Sequence, residues 1–170
     1  MSAAISTCAD CGLVLPKSAA APHPYLGGSG ECWSLFEAVL EREYQDPAYM
    51  SVHRITVDAY AAQHPGRAEP RTIQSVNLHL VGLHLALERR LDPRFVRRAL
   101  ARLTGLKREL VWLDPPPSLG EVRVDQVARA ATPEDHAVRV EAWGWSVFEA
   151  WSPHHARIRA LGAQILSGAG

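Results

Sequence analysis

Residues 75–89, SVNLHLVGLHLALER, decide the fold that the sequence predicts. Apolar residues recur here at steps of three and four, the spacing that places side chains on one face of a helix. This apolar face runs from Ile73 to Leu87, and further leucines and valines widen it around much of the helix circumference. A helix of this kind must be surrounded by other helices. Thr72 or Ser75 is its predicted N-cap.

Helical patterns lie on both sides of this central segment. The predicted helices begin near Glu31, Pro47, Pro93, Asp125 and Pro133, with a last helix after the break at Pro153. Ser29 is the N-cap expected for the first of them. The second must end at His64, because Pro65 disfavours helical geometry in the residue before it. The sequence therefore predicts an all-α bundle of five to seven helices over residues 31–170, within one domain spanning residues 1–170.

Residues 1–30 follow a different pattern, rich in Cys, Gly, Pro, Ala and Ser and without helical or strand periodicity. We therefore expect a loop-like cap that something other than a hydrophobic core organises. Cys8 and Cys11 have the spacing at which two thiolates bind one tetrahedral ion, and a structural zinc site needs four ligands. Cys32 is the only other thiol, and His23 is the nearest further candidate. The sequence predicts a zinc knuckle over these four residues.

Two other interpretations of the cysteines remain open. A CxxC pair can be redox-active, although such pairs typically begin a helix that follows a strand, whereas the apolar segment Leu13–Pro16 follows this one. The thiols can also lack a chemical role, with Cys32 acting as a small core residue.

Residues 52–66, VHRITVDAYAAQHPG, bring polar groups to internal positions of a predicted helix. His53 and His64 lie about 20° apart around the helix, on one face, but about 16 Å apart along its axis. They cannot bind one ion without help from another helix. Asp58 and Tyr60 lie between them and are the candidate catalytic residues.

A second metal site is the alternative use of these histidines. His53, His79 and either His154 or His155 come from three different helices, which can meet around an ion inside a bundle. A buried histidine that is hydrogen-bonded to a carboxylate or carbonyl is the commoner arrangement. His136 is expected on a helix surface.

The charge balance excludes some classes of partner. Eighteen basic residues match eighteen acidic ones, so no overall field favours nucleic acid or a membrane surface. Apolar runs are shorter than the roughly 20 residues that a bilayer requires. An odd number of cysteines argues against a secreted disulfide framework. We expect a soluble, cytoplasmic protein whose partner is another protein or a small molecule.

Five motifs give the chain a resemblance to a known family. They are CxxCGLVLP (Cys8–Pro16), CW (Cys32–Trp33), VHRxTVDAYxxQHPG (Val52–Gly66), SVxxHLxxLxxxLER (Ser75–Arg89) and WxxSVxEAWxxHH (Trp143–His155). In their order the chain resembles a bacterial family of uncharacterised proteins, domain of unknown function 5946. The resemblance implies no activity, but it implies a shared pattern among the three cysteines, His53, Asp58, Tyr60, His64, His79 and His155.

Two functions compete at this point. The first is a small zinc-stabilised helical module that binds a protein or a small ligand, with a mainly structural metal. The second is a metal-dependent enzyme, a hydrolase or thiol transferase, in which His53, His79 and His155 hold the ion and Asp58 or Tyr60 assists a bound water.

Overall fold

The computed structural model describes residues 4–168, in which seven α-helices follow a short hairpin. The hairpin strands are β1 (Ile5–Thr7) and β2 (Val14–Pro16). The helices are α1 (Gly30–Gln45), α2 (His53–Gln63), α3 (Pro70–Leu83), α4 (Pro93–Ala101), α5 (Val124–Ala128), α6 (Pro133–Ala150) and α7 (His155–Ser167). The predicted all-α fold is confirmed. Within these residues, no helix is both long and apolar enough to cross a bilayer.

Helix α3 lies at the centre, as its sequence pattern predicts. Val76, Leu80 and Leu83 are at most 1 % exposed, and α2 packs closely on both α3 and α6. The helix begins earlier than predicted, because Pro70 supplies the first helical residue and Glu69 is the N-cap. Thr72 is therefore inside the first turn, where its hydroxyl accepts a hydrogen bond from the Glu69 backbone N–H (3.0 Å).

The helix predicted over residues 47–64 is divided in two. A 3₁₀ segment covers Pro47–Val52, and α2 begins at His53. The predicted end before Pro65 is confirmed, since His64 is the C-cap of α2. Gly66 follows with a φ of +68°, a left-handed conformation that glycine adopts without a steric penalty.

Side-chain caps start the later helices where the sequence predicts them. The Asp92 carboxylate accepts a hydrogen bond from the Arg94 N–H (2.8 Å) at the start of α4. The Thr132 hydroxyl accepts one from the Asp135 N–H (3.1 Å) at the start of α6. Because each cap is a hydrogen bond between residues two or three positions apart, it can be predicted from the sequence alone.

The N-terminal cap contains the hairpin, where the sequence predicts only loops. Its strands pair antiparallel, and Cys8 and Cys11 lie in the turn between them. Its outer apolar side chains gain little from burial, since Ile5 is 66 % exposed and Val14 is 52 % exposed. The hairpin contacts the helical core through Cys8, Cys11 and Leu13, which are buried, and Leu15 packs beside them.

Helix α3 continues into one π-helical turn, His84–Glu88, which α7 contacts through a charged group. Glu88 accepts hydrogen bonds from Arg159 Nη2 (2.5 Å) and His84 Nδ1 (2.6 Å). Arg159 is the main cause that lowers the pKa of Glu88 to about 2, with His84 acting in the same direction and partial burial opposing it.

The lowered pKa predicts how Glu88→Gln depends on pH. A carboxylate with a depressed folded pKa stabilises the protein above its unfolded pKa of about 4.3, and the stabilisation disappears as the pH falls through about 2. Because half of Arg159 is exposed, we expect a cost of only about 1 kcal/mol at pH 7. Urea unfolding of the wild type and the variant at pH 7, 4 and 2.5 measures the difference. A cost that is the same at every pH would contradict the assignment.

Candidate metal centre

Three thiols and one imidazole meet where the cap touches the bundle. One ligand atom from each of Cys8, Cys11, Cys32 and His64 lies within 4.8 Å of all the others. The Cys11 and Cys32 sulfurs are 3.9 Å apart, and Cys32 Sγ is 3.4 Å from His64 Nε2. Zinc–sulfur bonds of about 2.3 Å in a tetrahedron put sulfurs about 3.8 Å apart. The spacing therefore fits one tetrahedral ion.

These ligand residues lie in three separate parts of the chain. Cys8 and Cys11 come from the hairpin turn, which closes through a hydrogen bond from the Cys8 N–H to the Leu13 carbonyl (2.8 Å). Cys32 is in the first turn of α1, where its N–H donates to the Ser29 N-cap hydroxyl (3.2 Å). His64 stands at the end of α2. The cap and two helix ends thus converge on one point.

The His64 ring is oriented for metal binding. Its Nδ1 lies 2.7 Å from the Tyr60 carbonyl, which can only accept a hydrogen bond. Nδ1 therefore carries a proton, and Nε2, which faces the sulfurs, is the ring atom left for a metal ion. A metal-bound histidine commonly donates its other N–H to a carbonyl in this way.

His23 does not lie at the site, so the prediction that it is the fourth ligand is wrong. Its Nδ1 accepts hydrogen bonds from the backbone N–H groups of Tyr25 (3.4 Å) and Leu26 (3.2 Å), and its ring packs on Trp33. The ring nitrogen that could bind a metal is used to close a turn. His64 takes the fourth position instead, although it is much farther from Cys11 along the chain.

The thiols strongly influence one another. Hydrogen bonds from Cys11 and Cys32 lower the pKa of Cys8, with burial opposing them and His64 assisting. Hydrogen bonding to Cys11 and Cys8, together with burial, raises the pKa of Cys32. Burial lowers the pKa of His64, but hydrogen bonds and charges from Cys11 and Cys8 outweigh it and raise the value to about 9. The opposite directions for Cys8 and Cys32 show that the cluster does not hold all its thiols as thiolates by itself, whereas a bound cation would allow it to.

The buried hydroxyl of Tyr60, close to Cys32, agrees with a negatively charged sulfur at this site. The Tyr60 hydroxyl has no hydrogen-bond partner within residues 4–168. Burial raises the pKa of Tyr60, and the neighbouring Cys32 raises it further. A metal-bound thiolate at Cys32 would accept the hydrogen bond for which this hydroxyl has no other acceptor.

Two further contacts fix the cap around the site. Asp10, between the two knuckle cysteines, accepts a hydrogen bond from the Gly66 N–H (3.1 Å), just after His64. Burial raises the pKa of Asp10, although this hydrogen bond opposes the change. Arg123 Nε donates to the Cys11 carbonyl (2.6 Å). Both contacts orient the residues that carry the ligands.

The alternative second site does not assemble among the described residues. His53 Nδ1 lies 2.6 Å from Glu43, His79 Nδ1 lies 2.7 Å from Asp58, and His155 Nε2 lies 2.8 Å from the Phe148 carbonyl. Each imidazole therefore has its own partner. The Cys₃His group is the single cluster of potential metal ligands found in residues 4–168.

The two candidate catalytic residues are buried. Asp58 is fully enclosed and accepts hydrogen bonds from Arg54 Nε (2.7 Å) and from His79. Tyr60 is 1 % exposed, with its ring stacked between those of Phe36 and His64. Tyr60 thus belongs to the surroundings of the cysteine cluster, and Asp58 to a separate ion pair.

A buried carboxylate is the main polar feature that the sequence interpretation missed. Glu43 on α1 is fully buried, where it accepts hydrogen bonds from Thr56 (2.6 Å), His53 and His136 Nε2 (2.8 Å). The predicted surface position of His136 is wrong, since this residue is 0 % exposed. One signal was available: Glu43 continues the apolar stripe of Phe36 and Val39, so it was placed to face inward.

The comparisons with known proteins identify a family without an activity. No curated protein and no solved structure matches the chain. The model of a family of unknown function, DUF5946, matches residues 6–152, a range that includes Cys8, Cys11, Cys32 and His64. This match covers most of the sequence, and the predicted resemblance to this family is thereby confirmed. The chain belongs to this family of unknown function.

Proposed function

We propose that this protein is a zinc-stabilised helical binding module, in which the metal has a structural role. The single observation that carries the proposal is the buried group of Cys8, Cys11, Cys32 and His64. Sulfur and imidazole ligands in a tetrahedron are typical of structural zinc. Zinc would bind the three cysteines as thiolates and neutralise their charge.

The closed surroundings favour structure over catalysis. Cys8 is 1 % exposed, while Cys32 and His64 are 0 % exposed. Catalytic zinc sites keep a position open for water or substrate, whereas structural sites use four protein ligands. Here four protein side chains would occupy all four positions, and their burial favours a site closed to substrate.

The arrangement also explains what the metal would stabilise. The outer face of the hairpin is exposed and its inner apolar contact is small, so the ion would add to the free energy that attaches it to α1 and α2. Bound zinc requires reduced thiols, which agrees with a cytoplasmic location. The partner of such a module would be a protein or a small molecule.

Metal content tests this proposal. Protein purified under reducing conditions without added metal is expected to contain one zinc per chain. His64→Ala should lose it, because Nε2 supplies the fourth ligand, whereas His23→Ala should keep it. Elemental analysis by mass spectrometry measures both.

A third variant addresses the enzyme alternative. His79→Ala leaves the cysteine cluster intact and should retain one zinc per chain. A second equivalent that disappears in this variant would support the histidine-lined enzyme site instead. Absence of metal from the reduced wild type would refute the zinc module.

A further inference from the structure

A cleft lies on the helical bundle among residues that do not include the cysteine cluster. It is bounded by the 3₁₀ segment Pro47–Val52, the first turns of α2 and the first turns of α4. Its volume is about 1330 Å³. Ligand sites for small molecules typically measure roughly 300–1,000 Å³, so the space is ample for one.

The α4 wall of the cleft is cationic. Arg94, Arg97 and Arg98 line it at helical steps of three and one, and all three are exposed. Within residues 4–168, Arg94 and Arg97 form no ion pair, and Arg98 lies over the Phe95 ring. The acid on this wall, Asp92, already accepts the Arg94 N–H as the helix cap. Within the described residues, the guanidinium groups of Arg94 and Arg97 on this wall are therefore not neutralised by an ion pair.

The α2 wall holds two further basic groups in fixed positions. His53 is oriented by the fully buried Glu43, with Nδ1 toward the carboxylate and Nε2 3.3 Å from the Tyr44 hydroxyl. Arg54 is held by the fully buried Asp58. Two buried carboxylates thus order two side chains that line the cleft. These two side chains, unlike the exposed arginines of α4, need no ordering when a ligand binds.

Apolar side chains cover the remainder of the cleft. Tyr44 is 65 % exposed and Met50 is 39 % exposed, and Val57 lines the cleft one turn after His53 and Arg54 on α2. Exposed aromatic and sulfur-containing side chains are favourable surfaces for a flat or apolar group.

We infer that this cleft binds a phosphorylated small molecule with an aromatic or apolar body. Arginine presents paired N–H donors that match phosphate oxygens, so the α4 wall recognises the phosphates. The body of the ligand packs against Tyr44 and Met50. The inference rests on the proposed binding role, since it names the ligand class of the module. It does not depend on the metal ligands, which lie outside the cleft.

Calorimetry with three probes tests the inference. At low ionic strength, ADP is expected to bind, inorganic pyrophosphate to bind more weakly, and adenosine not to bind. Arg94→Ser combined with Arg97→Ser should weaken ADP binding about 100-fold, at about tenfold for each charge-assisted contact. Arg108→Ser is the matched control, because Arg108 is exposed but not in the cleft. It should bind ADP as the wild type does.

Each other outcome overturns a stated part of the inference. No binding of ADP or pyrophosphate refutes the cleft as a phosphate site. Equal loss in the Arg108→Ser control places the binding outside the cleft. Equal affinity for ADP and pyrophosphate refutes the role of the apolar surface. Zinc content is measured on the same samples, so a failed binding role is separated from a failed metal site.

Discussion

Replacing Cys32 with serine is expected to abolish zinc binding and to remove about 5 kcal/mol or more from the free energy of unfolding. Structural zinc in small peptides contributes about 10–16 kcal/mol, which compares with about 5–15 kcal/mol for the total stability of an ordinary domain. Cys32 connects α1 to the cluster and is 0 % exposed. No water molecule can therefore take the place of its sulfur as a metal ligand in the variant. Thermal unfolding followed by circular dichroism, together with zinc analysis, measures both effects.

A chelator provides the control for this variant. Wild-type protein treated with a strong zinc chelator should unfold at nearly the temperature of Cys32→Ser, and the variant itself should not respond to the chelator. If the variant unfolded at the wild-type temperature, the metal would have no role in stability. If Cys32→Ser lost stability but the wild type contained no zinc, Cys32 would be a core residue without a metal-binding role.

Glu43→Gln is expected to cost about 3–5 kcal/mol at pH 7, because it removes a buried charge that three side chains hydrogen-bond. The glutamine amide replaces one acceptor oxygen with a donor, which then faces a histidine N–H or the Thr56 hydroxyl. Urea unfolding measures the change. Glu41→Gln, two positions away on the exposed side of α1, should stay within about 0.5 kcal/mol of the wild type.

The effect of Glu43→Gln should also depend on pH. Burial raises the pKa of Glu43, but hydrogen bonds from His136, His53 and Thr56 outweigh it and hold the value below the ordinary one. A depressed folded pKa means that the carboxylate stabilises the protein above the unfolded pKa of about 4.3 and loses this effect as the pH falls. The cost of the variant should therefore shrink below about pH 4. A constant cost would assign the effect to packing.

The helices could be predicted from sequence because their signals are local. Ser29, Asp92 and Thr132 cap the helices that they precede, and apolar spacing marks the inward face of α3. The identity of the fourth metal ligand is not a local property. It depends on which helix ends approach the hairpin, and His64 reaches the sulfurs only because α2 packs beside α1. His23 was closer in sequence but its ring closes a turn.

The polar interior was harder to predict for the same reason. The stripe on α1 indicates that Glu43 faces inward, but it does not indicate that His136, on a helix nearly one hundred positions later, will meet it. Periodicity gives the direction of a side chain and leaves its partner undetermined. The cleft is likewise formed by separate segments, and each of its arginines alone has the pattern of an ordinary surface residue.

The spread of the four ligands along the chain has a consequence during biosynthesis. Cys8 and Cys11 leave the ribosome well before His64, and at about 5–20 residues per second the interval is several seconds. Throughout that time the nascent polypeptide carries thiols, first two and then three once Cys32 is made, without the fourth ligand and accessible to oxidants and to competing metal ions. For the proposed zinc site, reducing conditions and available zinc at the site of translation would therefore determine how many newly made molecules close correctly.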